Sequence, residues 1–69
     1  MPEALANRIK DRRGELGLTQ AALAEAVGVT RKTVNTVENG VFVPSALLAL
    51  KLARALDEPV DRLFWLSAG

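Results

Sequence analysis

Cysteine and histidine are both absent from this chain of 69 residues. Without cysteine the chain has no disulfide framework, no thiol nucleophile and no thiolate metal site. Without histidine it lacks the commonest metal ligand and the commonest general base. Its length has room for a single domain over residues 1–69. We therefore expect a one-domain protein that is no enzyme and has no cofactor and no metal site.

Long hydrophobic runs are also absent, and the net charge is only +1. The longest apolar run, Ala46 to Leu50, is far shorter than the about 20 residues that cross a bilayer. The N-terminus has no apolar signal segment. Apolar residues nevertheless make up 49% of the chain, enough for a folded core. We expect a soluble cytoplasmic protein.

The basic residues are clustered although the total charge is balanced. Several acidic residues lie instead near the C-terminus. This asymmetry predicts one basic face, which favours an anionic partner. The clustered basic residues are Arg8, Lys10, Arg12, Arg13, Arg31 and Lys32, and the C-terminal acids are Asp57, Glu58 and Asp61.

Helical patterns occupy both ends of the chain. The first predicted helix runs over residues 3–16, with Leu5, Ile9 and Leu16 on one stripe at helical spacing. Gly17 is suited to end it. The last predicted helix covers residues 60–66.

The centre of the sequence predicts two short helices joined by a tight turn. Thr19 is a good cap for a helix over 20–27, with Leu23, Ala24 and Val27 buried. Gly28 is suited to a turn that needs a positive φ. Thr30 caps the next helix, over 31–39, with Val34 and Val37 facing inward.

A fourth helix is predicted over 46–56, capped by Ser45. Leu47, Leu48, Leu50 and Leu52 make it apolar nearly all round, so we expect it to be buried on more than one side. Strand signals are weak. The expected fold class is therefore all-α, a compact bundle of five helices.

The central motifs resemble a known family. The chain reads Gly17-Leu18-Thr19-Gln20, then Leu23-Ala24, then Val27-Gly28-Val29-Thr30, then Val37-Glu38-Asn39-Gly40. These motifs, at this spacing, resemble the helix-turn-helix of the phage repressor and Cro-type (XRE) family. The resemblance covers about residues 9–63, with the helix-turn-helix at about 19–39. It implies a five-helix DNA-binding domain of the phage-repressor type.

The resemblance also implies a role for individual residues. An arginine fork suits guanine N7 and O6, so Arg31 is the leading candidate for sequence readout. Gln20 matches a glutamine that contacts phosphate and braces the recognition helix. The implied base-contacting residues are Thr30, Arg31, Lys32, Asn35 and Thr36, and the implied phosphate-contacting residues are Gln20, Thr33, Asn39 and Gly40. A solvated helix face is the alternative for the first set, and a plain helix cap is the alternative for Asn39 and Gly40.

Arg13 and Glu38 match a charged pair of the family that ties the first helix to the end of the recognition helix. The implied role is structural, because the pair orients the helix and does not read bases. Two exposed charges that never meet are the alternative.

The sequence departs from the family pattern after Asn39-Gly40. The loop reads Val41-Phe42-Val43 where a basic residue is frequent, and Leu47 stands where an acidic residue is common. Trp65 and Leu66 add further apolar area. This surplus predicts a homodimer whose interface contains Phe42, Leu47, Trp65 and Leu66, with a dimerisation helix at about 60–67. A well-filled monomer core is the alternative.

Taken together, these patterns predict a prokaryotic transcriptional regulator that binds double-stranded DNA, and we expect it to be a repressor. It would bind a near-palindromic operator as a homodimer, with the helix over 31–39 in the major groove. The alternative function is an antitoxin or other protein-interaction module, in which the apolar loop and Leu47 meet a toxin or another protein partner.

Overall fold

Five short helices and one two-stranded sheet form the structure of residues 3–68, a computed structural model. Met1, Pro2 and Gly69, which the expected domain over 1–69 includes, lie outside the described residues. The elements in chain order are β1 (Glu3–Asn7), α1 (Ile9–Leu16), α2 (Gln20–Val27), α3 (Arg31–Glu38), α4 (Ala46–Ala55), α5 (Val60–Leu63) and β2 (Phe64–Ala68).

The sheet joins the two ends of the described chain. β1 and β2 pair antiparallel, with Glu3 opposite Ala68 and Asn7 opposite Phe64. The backbone N–H of Arg8 donates to the carbonyl of Leu63 at 3.0 Å and continues the pairing. Phe64 is buried, and Leu5 packs against the core. The sheet thus covers one side of the helices.

This sheet corrects three of the predictions from sequence. The helix predicted over 3–16 begins only at Ile9, and the helix predicted over 60–66, with its extension to 67 for dimerisation, ends at Leu63. The fold is therefore mostly helical but not all-α. The physical reason is that residues 3–7 and 64–68 satisfy each other's backbone hydrogen bonds, which a local pattern does not reveal. Leu16, placed on the buried stripe, is exposed in the last turn of α1.

The predicted pair of central helices is confirmed. The Thr19 hydroxyl accepts from the Ala22 N–H at 3.0 Å and caps α2. Gly28 follows α2 with φ 77°, a left-handed conformation that favours glycine. The Thr30 hydroxyl accepts from the Thr33 N–H at 3.2 Å and caps α3. These caps fix where α2 and α3 begin.

The core lies where α1, α2, α3, α4 and α5 meet β2. All the predicted inward-facing residues of α2 and α3 belong to it. Burying side chains of this kind stabilises the fold by about 1.5–3 kcal/mol each. The core side chains are Ile9, Leu23, Ala24, Val27, Val34, Val37, Leu52, Ala53, Leu56, Leu63 and Phe64.

α4 differs from its prediction. Leu52 is fully buried, but Leu47 and Leu50 are 65% and 57% exposed. One face of α4 therefore packs on the core, and its opposite face is open within the single chain. Over residues 3–68, no helix has the length and apolar character needed to cross a membrane.

Candidate nucleic-acid interface

Four of the predicted DNA-contacting residues share one open groove on the surface. Gln20 at the start of α2 faces Arg31, Lys32 and Asn35 of α3 across it. The three residues of α3 are exposed, and Gln20 is half-buried. None of the ion pairs formed within residues 3–68 includes Arg31 or Lys32. The groove therefore presents two cations and two side-chain amides to a ligand.

The hydroxyls of the threonines in α3 and at its N-terminal cap already form hydrogen bonds within the helix. The Thr30 hydroxyl caps the helix and also lies 3.1 Å from the Thr33 hydroxyl. The Thr36 hydroxyl donates to the Thr33 carbonyl at 2.9 Å, and both Thr33 and Thr36 are half-buried. The polar atoms of these side chains are engaged with the helix itself. A contact from Thr30 or Thr36 to DNA would therefore be made chiefly by a methyl group.

Asn39 and Gly40 form the C-terminal cap of α3. The Asn39 and Gly40 N–H groups donate to the carbonyls of Asn35 and Val37, each at 3.1 Å. The Asn39 Nδ2 donates to the Asn35 carbonyl at 2.9 Å. The capping alternative thus describes the hydrogen bonds of both residues, and a phosphate contact from them stays a prediction.

Arg13 and Glu38 form a two-point ion pair. Arg13 Nε lies 2.6 Å from Glu38 Oε2, and Arg13 Nη2 lies 3.1 Å from Glu38 Oε1. The two side chains are only 14% and 4% exposed. The hydrogen bonds to Glu38 raise the pKa of Arg13 above its usual value, so the guanidinium stays charged. The pair fixes the end of α3 against α1.

The predicted basic face is smaller than the sequence indicates. Arg8 pairs with Glu15 at 2.8 Å and with Glu58 at 2.7 Å, while Arg12 pairs with Glu15 at 3.0 Å. The hydrogen bond from Arg12, and then the charge of Arg8, lower the pKa of the Glu15 carboxyl. Arg8 and Arg12 therefore tie α1 to the turn after α4 and do not belong to the groove. The clustering of Arg8 and Arg12 in the sequence gave no sign that both would lie beside the distant Glu58.

Asn7 is a site-related residue that the sequence reasoning missed. Its Oδ1 accepts from the Ile9 N–H at 3.1 Å, at the start of α1. Its Nδ2 donates to the carbonyls of Val37 at 3.0 Å and Glu38 at 3.4 Å, in the last turn of α3. The only local signal was an asparagine two residues before the first residue of a helix, which is typical of a cap.

The residues predicted for a dimer interface are all exposed in the single chain. Leu66 and Leu47 are the most open of the four, and Phe42 and Trp65 are about half exposed. Val41 and Val43 flank Phe42 and are also exposed. The structure thus leaves an apolar surface on the 41–43 loop, on α4 and on β2, and no contact within residues 3–68 covers it.

Two capped helices, a glycine turn and a groove of exposed polar side chains on the second helix define a helix-turn-helix domain. The comparisons agree, since the model of the family described as helix-turn-helix matches residues 9–63. The chain belongs to this helix-turn-helix family. Among residues 3–68 no group of three or more acidic side chains is arranged to hold a metal ion.

Curated relatives carry the same domain. The uncharacterised HTH-type transcriptional regulator YgzD of Bacillus subtilis is 47% identical over 60 residues, which cover 87% of this chain and 91% of that protein. The antitoxin HigA-1 of Vibrio cholerae is 48% identical over 52 residues, which cover 75% of this chain but only 47% of the antitoxin.

Solved structures share the fold. The restriction-modification controller protein C.AhdI of Aeromonas hydrophila has a TM-score of 0.76 and 39% identity, covering 81% of this chain and 85% of its own. The P22 c2 repressor, solved in complex with a synthetic operator, has a TM-score of 0.75 and 35% identity, covering 78% of this chain and 82% of its own. The fold implied by the resemblance to phage repressors is confirmed, apart from the added sheet.

Proposed function

We propose that this protein, a DNA-binding transcriptional regulator, is a repressor that places α3 in the major groove of a near-palindromic operator. The observation that carries the proposal is the groove in which Gln20 faces Arg31, Lys32 and Asn35. An α-helix fits the major groove, where each base pair presents a distinct pattern of donors and acceptors. Prokaryotic DNA lies in the cytoplasm, and we place the regulator there.

Arg31 and Asn35 are the proposed base readers. Both are exposed, and they lie one turn apart on the face of α3 that borders the groove. A guanidinium matches the two acceptors of guanine, and a carboxamide matches the donor and acceptor of adenine. Lys32 supplies charge to a base or a phosphate. Thr30 and Thr36 contribute apolar contact, because their hydroxyls are already hydrogen-bonded within α3.

Gln20 and Thr33 are the proposed phosphate contacts near the entrance of the groove. Gln20 is the first residue of α2, where the exposed N–H groups and the helix dipole favour an anion. Its Nε2 donates one hydrogen to Glu38, so the second hydrogen of Nε2 would donate to the phosphate. Asn39 and Gly40 would contribute by holding the end of α3 beside the phosphates.

The proposed repressor is a homodimer, because a near-palindromic site needs two recognition helices about 34–36 Å apart. The apolar surface of Phe42, Leu47, Trp65 and Leu66 is the proposed interface. β2, and not a helix at 60–67, would carry the C-terminal part of it. We expect no enzymatic activity, cofactor or metal from this site.

Selection of bound duplexes from a random-sequence pool, at two salt concentrations, tests the proposal. The expected result is an inverted repeat with half-sites one helical turn apart and an affinity that falls as salt rises. The Arg31→Ala variant should lose the preference at one base position of each half-site, while Arg62→Ala, which removes an exposed arginine of α5 away from the groove, should retain it. Binding that enriches no sequence at either salt concentration would contradict the proposal.

An antitoxin is the second candidate function. The exposed Val41-Phe42-Val43 loop and Leu47 would then contact a toxin, and one relative is named an antitoxin. The covered part of that relative is about half of its length, so this candidate has less support. Co-purification of a second chain that Phe42→Ser releases would favour it.

A further inference from the structure

We propose that Asn7 is a positioning residue that sets the angle at which α3 enters the DNA groove. This inference rests on the proposed function. Asn7 ends β1, yet its Nδ2 reaches the carbonyls of Val37 and Glu38 at the end of α3. One side chain therefore connects the terminal sheet, the start of α1 and the end of the recognition helix.

The backbone of α3 has its other C-terminal hydrogen bonds close by in sequence. The carbonyl of Thr36 accepts from the N–H groups of Val41 and Phe42, and the carbonyl of Val37 accepts from Gly40. Arg13 and Gln20 donate to the side chain of Glu38. Within residues 3–68, the donor from a distant part of the chain to the backbone carbonyls of this last turn is Asn7, 30 residues away from Val37. The hydrogen bonds from Asn7 connect the last turn of α3 to β1, whereas the hydrogen bonds of the C-terminal cap join neighbouring residues of the same turn.

The opposite, N-terminal end of α3 carries Arg31 and Lys32. Within residues 3–68, no hydrogen bond joins that end to a distant part of the chain. Arg31 and Lys32 are exposed there, and the Thr30 cap is local. A helix of eight residues is about 12 Å long, so a tilt of about 5° at its C-terminal end moves Arg31 by about 1 Å. Hydrogen bonds to bases tolerate little more than a few tenths of an ångström. The contact at Asn7 therefore controls base readout from the far end of the helix.

Asn7 is itself held firmly. Its Cα lies opposite that of buried Phe64 in the sheet, and the next residue, Arg8, donates its backbone N–H to Leu63. Its second amide atom, Oδ1, accepts from Ile9 N. Because β2 also carries Trp65 and Leu66 of the proposed dimer interface, Asn7 links the contact between protomers to the contact with DNA.

Asn7→Ser is the test variant, because a serine hydroxyl still caps the Ile9 N–H but is too short to reach Val37. The dissociation constant is measured at 10 °C for the selected operator and for a random duplex. We expect operator binding to weaken by about fivefold to tenfold and random-duplex binding to change by less than twofold, since phosphate contacts dominate the latter. Ser67→Ala, on the other strand of the same sheet, should leave both constants unchanged.

A second variant, and NMR shifts measured without DNA, distinguish a change in the position of α3 from a general loss of stability. Asn7→Asp keeps the cap acceptor but points an oxygen at the two carbonyls, so it should lower the ratio of operator to random affinity further. In both variants the backbone amide NMR shifts should move along α3 as far as Arg31. Equal weakening on both duplexes, or a loss of Tm with an unchanged ratio and with shifts confined to residues 37–38, would overturn the inference. A wild-type chain without operator preference would instead overturn the proposed function.

Discussion

The side-chain amide of Gln20 donates to the carboxylate of Glu38 at 3.0 Å, which joins the first residue of α2 to the last residue of α3. Arg13 of α1 binds both oxygens of the same carboxylate. Three helices therefore meet at one nearly buried charge. A phosphate bound beside Gln20 would be coupled to the position of α3 through this carboxylate.

Removing Arg13 leaves that charge without its counter-ion. We expect Arg13→Met to lower the free energy of unfolding by about 3 kcal/mol, because breaking a buried pair by removing one partner leaves a charge uncompensated. Urea unfolding measures the change. Combining Arg13→Met with Glu38→Leu should recover part of the loss, since the groups that lose a partner are then the uncharged amide of Gln20 and the carbonyl of Leu18. A single variant as stable as the wild type would show that the pair contributes nothing.

Arg31 and Lys32 are expected to differ in what their removal costs. Arg31→Ala should cost about 1–3 kcal/mol at one base position and flatten the preference there. Lys32→Ala should weaken binding to all sequences and reduce the salt slope by about one. Competition binding with single-base variants of the operator distinguishes the two, with Arg62→Ala as the charge-matched control. Equal losses on every duplex for Arg31→Ala would identify it as a phosphate contact.

Leu66 should matter for assembly more than another exposed leucine does. Leu66→Ser removes apolar surface from the proposed interface on β2, whereas Leu16→Ser removes an exposed leucine from α1 outside it. In sedimentation equilibrium we expect Leu66→Ser to shift the protein toward monomer by at least tenfold in the dissociation constant, since burying a leucine is worth about 1.5–3 kcal/mol. A wild-type protein that sediments as a 7.4 kDa species at tens of micromolar would refute the dimer.

Glu15 gives the structure a dependence on acidic pH. The hydrogen bond from Arg12, with the nearby Arg8, lowers the pKa of Glu15, so its pairing stabilises the fold above the pKa of the unfolded chain and is lost as pH falls through the folded value. Wild type should therefore be more stable than Glu15→Gln at pH 7, and the difference should shrink as the pH falls below the ordinary pKa of a glutamate. Urea unfolding over a series of acidic pH values measures it. A difference that stays constant as the pH falls would assign the effect to packing.

The helix-turn-helix could be predicted because its signals are local. The hydroxyls of Thr19 and Thr30 cap their helices by accepting from the N–H group three residues ahead. Gly28 has the positive φ that a tight turn requires. The spacing of Leu23 and Val27 places both on one buried face. The Arg13–Glu38 pair was reached through the family resemblance, and its geometry follows from the same packing.

The sheet could not be predicted because each of its strands depends on a partner far away in sequence. Leu5 and Ile9 are four residues apart, which mimics a helical stripe, and Phe64 continues the helical run of α5 without a break. Neither strand shows clear alternation, and pairing alone decides their conformation. Sequence patterns also failed to predict the ion pair of Arg8 with Glu58 and the hydrogen bond from Asn7 to Val37, because both contacts join distant parts of the chain.

The pairing of Glu3 with Ala68 has a consequence for the order of events during synthesis. The helical contacts are local and can form early, whereas closing the chain between β1 and β2 carries the largest loop entropy of the fold. Residues 3–7 are synthesised before residues 64–68 and lack their partner strand until those have been made. Helix α3 can therefore form on a nascent chain, but its contact with Asn7 becomes fixed only after β2 has been translated.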